Sequence, residues 1–104
     1  MIRVLIADDH AVVREGLKGT VAQNTDMVVV GEAGTGHEVL EFVRARECDV
    51  LLLDLSMPGK DGLDTLKELR VLSPRLPVLI LSIYPEDQYA VRLLRAGASG
   101  YLTK

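Results

Sequence analysis

Residues 51–59 read LLLDLSMPG: three leucines, then Asp54, then a turn marked by Pro58 and Gly59. The run Val50–Leu53 is short, wholly apolar and free of polar alternation, the pattern of a strand buried on both faces of a parallel sheet. Four other runs have strand character: Arg3–Ala7 (RVLIA), Met27–Val30 (MVVV), Val78–Leu81 (VLIL) and Tyr101–Thr103 (YLT). Helical stretches separate them, at Val12–Ala22, Glu38–Arg46, Leu63–Leu72 and Glu86–Ala96. Val39, Phe42 and Val43 share a face of the second helix, and Leu63, Leu66, Leu69 and Leu72 share a face of the third. Ala90, Leu93 and Leu94 repeat the pattern in the fourth, with Asp61 a candidate N-cap before the third and Gly97 a C-cap after the fourth. Strict alternation of strand and helix predicts an α/β fold, a doubly wound five-stranded parallel sheet with right-handed crossovers.

Composition narrows the classes. A chain of 104 residues is one domain, long enough to bury roughly 65% of its unfolded surface. Only 4% of residues are aromatic, so aliphatic side chains must build the core. Twelve basic residues against fifteen acidic ones give a net charge of −3, and the basic residues form no cluster that would grip nucleic acid. Cys48 is the single cysteine and cannot form an internal disulfide; it reads as a packing or surface residue, in keeping with a cytoplasmic location. The opening MIRVLIADD is too short in its apolar run for a signal peptide, and no stretch approaches the ~20 apolar residues of a membrane span.

In open α/β sheets ligands bind beyond the carboxyl ends of the strands, so the strand-terminating residues matter most. The first strand ends in Asp8–Asp9, the third in Asp54, the fourth in Ser82, and the fifth runs into Lys104. Singly, an acid or hydroxyl there could do no more than cap the next helix, and Lys104 could be a solvated charge. Together they place three acids, a hydroxyl and a lysine on one rim.

Two carboxylates ~4 Å apart near a protein surface repel by up to ~4 kcal/mol, so a group of three calls for a proton or a cation. An all-oxygen site suits Mg²⁺, whereas zinc or copper would want His or Cys. His10 is adjacent, but a lone His after a strand reads first as a helix-start or interface residue. With Mg²⁺ at hand one carboxylate can act as nucleophile toward phosphorus, and Asp54 is the best candidate because it ends the most apolar strand. Lys104 can place a point charge on a phosphoryl oxygen and Ser82 can donate a hydrogen bond. Pro58 biases Met57 to an extended conformation and Gly59 permits a sharp turn, which opens space before Asp54. The run GEAGTG (Gly31–Gly36) lacks both G-x-G-x-x-G and the Walker lysine, and reads as the turn into the second helix.

These residues resemble the receiver domain of two-component response regulators over essentially the whole chain. The resemblance rests on ADDH (Ala7–His10), LLLDLSMPGKDG (Leu51–Gly62), LSIY (Leu81–Tyr84) and RAGASGYLTK (Arg95–Lys104). HAVVREGL (His10–Leu17) and RAGASGYL look like the NarL/FixJ-type (LuxR-like) branch. The resemblance implies a flavodoxin-like strand order 2-1-3-4-5 and a signalling switch rather than an enzyme with a separate substrate. It implies that Asp54 accepts a phosphoryl group from a sensor histidine kinase. Asp9, Asp54 and the backbone carbonyl of Ser56 would ligate Mg²⁺, Asp8 would act through water, and Lys104 would pair with the phosphoryl group. Ser82 and Tyr101 would form the switch pair that alters the surface of the fourth helix and fifth strand, while Ser56 and Tyr84 would tune phosphoryl lifetime.

The family fold continues into a fifth helix, so residues 1–104 read as a receiver domain truncated after the fifth strand. DNA contact would belong to a C-terminal effector domain that this chain lacks. Apolar surface of strands one, three and five is then expected to lie uncovered, with a homodimer or an element-exchanged dimer as the consequence. Rival readings fit less well. Aspartate-nucleophile phosphatases carry D-x-D on the first strand, where this chain has Asp8–Asp9–His10; an FMN carrier wants aromatic walls beyond Tyr84 and Tyr101. A pseudo-receiver acting by protein interaction alone would have no use for the retained acids, Ser82 and Lys104.

Overall fold

In the computed structural model, residues 1–54, 62–82 and 88–103 are described, without the side chains of 62, 82, 88–90, 102 and 103. Five strands form one sheet: β1 (Ile2–Ala7), β2 (Met27–Ala33), β3 (Val50–Asp54), β4 (Val78–Ser82) and β5 (Gly100–Thr103). Their order is β2-β1-β3-β4-β5 and each neighbouring pair is parallel, as expected from the alternation and the resemblance. The helices α1 (Ala11–Ala22), α2 (Gly36–Ala45), α3 (Gly62–Leu72) and α4 (Gln88–Arg95) fall between successive strands. β3 therefore lies at the centre of the sheet. The candidate cap Asp61 lies outside the described residues.

Two apolar clusters sandwich the sheet. The larger joins Leu5, Leu51, Leu53, Val78 and Ile80 to Val39 and Leu40 of α2, Leu66 and Leu69 of α3, Leu93 of α4, and Tyr101. The smaller joins Val4 and Ile6 to Val21 of α1, with Leu17, Met27, Val29, Val50 and Leu52 partly buried against it. At roughly 25 cal/mol per Å² of buried apolar surface, the larger cluster contributes more to folding than the smaller, having many more fully buried side chains among the described residues.

The expectation that β3 is buried on both faces needs correction. Leu51 and Leu53 are fully buried, but Val50 and Leu52 are only partly covered, as is Leu79 of β4. The cause is positional: among the described helices, α1 alone joins the smaller cluster, and it packs mainly on β2 and β1. Strand one, also expected to be uncovered, is instead buried at Val4 and Ile6 beneath α1. Leu72 and Leu94, read as core-facing, are 39% and 45% exposed because each sits at the margin of its helix's buried stripe.

β2 runs to Ala33, three residues beyond the apolar signal, so Gly31 lies in the strand rather than in a turn. A register shift between Val4 and Leu5 leaves Val30 bulged. A Cβ at Gly31 would stand 2.3 Å from Cε2 of Phe42, so the glycine makes room for the only phenylalanine. Thr35 then caps α2: its hydroxyl accepts from the Glu38 amide at 3.2 Å, and Glu38 stands three residues on, where a capping box places it. Gly97 carries φ +113° at the end of α4, and the Arg70 side chain packs where its Cβ would be. Cys48 packs partly buried against the larger cluster, and burial pushes its thiol up, away from a reactive thiolate.

The amino ends of β1 and β3 are clamped by charge. Arg3 donates from Nε and Nη2 to the two carboxylate oxygens of Asp49, both at 3.1 Å, and its backbone amide donates to Oδ2 at 2.7 Å. These bonds hold the Asp49 carboxyl at about 2, below its usual 3.8. A folded value below the unfolded one means that the stabilisation is complete above about pH 4 and fades as pH falls toward 2. Asp49→Asn is thus expected to lower the melting temperature at pH 6, with the deficit shrinking steadily as the pH is taken to about 2. A deficit independent of pH in thermal scans would contradict this assignment.

Candidate functional site

The carboxyl edge of the sheet gathers the acids. In the β1–β3 ladder Ala7 pairs with Leu53, so the residues next along each strand, Asp8 and Asp54, are set side by side. Both are essentially inaccessible, at 0% and 1% exposure, although a carboxylate is rarely buried to that degree. Asp9 follows in the bend before α1 and is exposed. Asp8, Asp9, His10 and Asp54 each offer a ligand atom, and these atoms all lie within 4.8 Å of one another.

The backbone holds Asp8 firmly. Its amide donates to the carbonyl of Ala33 in β2 at 2.9 Å. Its Oδ1 accepts the His10 amide at 2.8 Å, an Asx-type turn that starts the passage into α1. The His10 ring nitrogen Nδ1 lies 3.2 Å from that same oxygen and 3.0 Å from Oδ1 of Asp9. His10 occupies the N-cap position of α1 in extended conformation, yet makes no side-chain capping bond. Its ring is turned toward the acids instead, so the structure brings into the cluster a residue that the sequence placed at the helix start.

Of the other expected site residues, Ser82 closes β4 in register with Thr103. Ser56, Tyr84 and Lys104 lie outside the described residues. Tyr101 pairs with Ile80 and is 7% exposed, part of the larger core cluster. Sequence reasoning passed over Arg14, whose Nη1 donates to the backbone carbonyl of Asp8 at 2.5 Å. The legible signal was a cation one helical turn after His10, on the first exposed turns of α1.

Chemically this is a site of carboxylate oxygens with one imidazole at its margin. Such an oxygen-dominated donor set could hold a hard divalent cation, and the close packing of like charges gives it reason to do so. No described helix is long and apolar enough to cross a membrane.

Residues 4–104 match the family model described as the response regulator receiver domain. Among curated proteins, the response regulator GacA of Pseudomonas viridiflava is 42% identical over 104 residues, covering 100% of this chain and 49% of that protein. The chain thus spans about half the length of the curated relatives it matches. Among solved structures, the signal receiver domain of a NarL response regulator from Mycobacterium tuberculosis superposes with a TM-score of 0.91 at 36% identity, covering 98% of this chain and 82% of that one. RcsB of Salmonella enterica serovar Typhimurium, solved bound to promoter rprA with the phosphomimetic BeF3⁻, gives 0.92 at 28% identity, over 99% of this chain and 59% of that one. Fold, acidic edge and family match agree: the chain belongs to the response regulator receiver domains, in the NarL-type branch.

Proposed function

We propose that this chain is the phosphoacceptor switch of a two-component system and that Asp54 receives the phosphoryl group. The observation that carries this reading is the burial of Asp54 at the end of the central strand, with ligand atoms of Asp8 and Asp9 within 4.8 Å of its own. A carboxylate held so rigidly has lost the freedom that would otherwise oppose in-line attack. Its oxygen attacks the phosphorus of a phosphohistidine on a sensor kinase; the O–P bond forms as the N–P bond breaks, and the electron pair leaves on the imidazole nitrogen. Bound Mg²⁺ supplies positive charge to the phosphoryl oxygens.

Asp9 and Asp54, with the Ser56 carbonyl, would hold that ion directly, and Asp8 through water. Lys104 would pair with the acquired phosphoryl group. Ser82, at the end of the neighbouring strand, would donate to it and draw on Tyr101, linking the site to β5 and α4. The chain modifies only itself and turns over no separate substrate. Phosphoryl transfer from a sensor kinase would take place in the cytoplasm. The curated relatives are about twice as long as this chain, and the promoter-bound RcsB supports transcription control as the output.

Incubating the chain with Mg²⁺ and a small phosphodonor should give one acid-stable, base-labile phosphoryl adduct by intact mass. Asp54→Asn, still folded by circular dichroism, should give none. An adduct retained in that variant, or several adducts in the wild type, would refute the assignment. The partly covered strip of Val50, Leu52 and Leu79 supports self-association of this 104-residue chain. Light scattering should therefore show dimer at high protein concentration, and a monomer throughout the range would count against it.

A further inference from the structure

Arg14 lies outside every role assigned so far, yet it is tied to the site more closely than any other cation among the described residues. Its Nη1 donates to the Asp8 carbonyl at 2.5 Å, and its Nε donates to Oε1 of Glu32 at 3.1 Å. The guanidinium thus spans three elements: α1, which carries it; the end of β1; and β2, which carries Glu32 next to the Ala33 that accepts the Asp8 amide. Glu32 is engaged on its other oxygen by Lys18 at 3.2 Å, and Lys18 in turn reaches Glu15 at 2.7 Å. Lys18 foremost, and then Arg14, hold the Glu32 carboxyl below the usual carboxylate range, so Glu32 is an ionised anchor at neutral pH. Arg14 is only 24% exposed.

We propose that Arg14 is a positioning residue for the cation site: it locks the Asp8 peptide, and so fixes Asp8 and Asp9 in the geometry that binds the metal. Both peptide groups of Asp8 are then fastened, the amide by β2 and the carbonyl by α1. The planar fork of arginine suits this double task, since it can face a carbonyl and a carboxylate at once; a lysine offers one point of charge. Because Arg14 bonds the Asp8 carbonyl and the Glu32 carboxylate, it holds the main chain without being one of the ligand atoms of the cluster. Groups that orient metal ligands from behind commonly carry 10–100-fold of metal affinity.

The inference rests on the reading of the acidic edge as a Mg²⁺ site, and calorimetric titration of Mg²⁺ into the whole chain separates the two. Wild type should bind one Mg²⁺; Arg14→Ala should bind it about tenfold more weakly. Arg14→Lys should recover only part of the loss, and Glu32→Gln, which leaves the arginine in place but untethers it, should show a smaller weakening. At saturating Mg²⁺ the phosphoryl adduct on Asp54 should form in Arg14→Ala as fast as in wild type, so that only the half-saturating Mg²⁺ concentration moves. A structural role alone would lower the melting temperature in chelator and leave that concentration unchanged. Equal Mg²⁺ affinity in wild type and Arg14→Ala overturns the inference; should Arg14→Ala not fold, equal affinity in both Arg14→Lys and Glu32→Gln does so. Absence of Mg²⁺ binding in wild type overturns the reading of the site beneath it.

Discussion

The structure depends on the parallel pairing of β1 with β3. That ladder is built from residues that gain by burial: Leu5 against Leu51, Ile6 against Leu52, Ala7 against Leu53. Its register is fixed because a slip of one residue would turn Leu51 and Leu53 out of the larger core. Carried one step further, the same register sets Asp8 beside Asp54, where hydrophobic burial forces together two carboxylates that would separate in a free chain. The energy that assembles the site is therefore paid by the leucines, and the acids are passengers until a cation or phosphoryl chemistry makes use of them.

Much of this was legible in the sequence, because continuous apolar runs and strict alternation admit few arrangements. The strand ends, and with them Asp8, Asp9, Asp54 and Ser82, followed from where the apolar runs stop. The errors arose where tertiary packing overrides local pattern. Gly31 looked like turn material, yet it lies in β2 because Phe42 needs the space that a Cβ would fill. Leu52 looked buried because a run of leucines cannot say which helix covers each face. His10 stands at the helix start, as its place in the sequence indicated, but the turn of its ring toward Asp8 and Asp9 leaves no signal in the local pattern.

Arg14 was invisible for a related reason. Its partners are a main-chain carbonyl and a glutamate on another strand, and neither leaves a motif in the sequence. The two ends of the sheet illustrate opposite uses of charge. At the amino end Arg3 and Asp49 neutralise one another and clamp β1 to β3. At the carboxyl end Asp8, Asp9 and Asp54 crowd on one edge, the arrangement expected of a binding site rather than a clamp.

The most direct test of this account is the dependence of thermal stability on Mg²⁺. An ion that binds only the folded state raises stability in proportion to the logarithm of its concentration above the dissociation constant. The wild-type melting temperature should climb with Mg²⁺ and fall back on chelation, while that of Asp9→Asn should stay nearly flat. Matching curves for the two proteins would contradict the claim that these acids form a cation site.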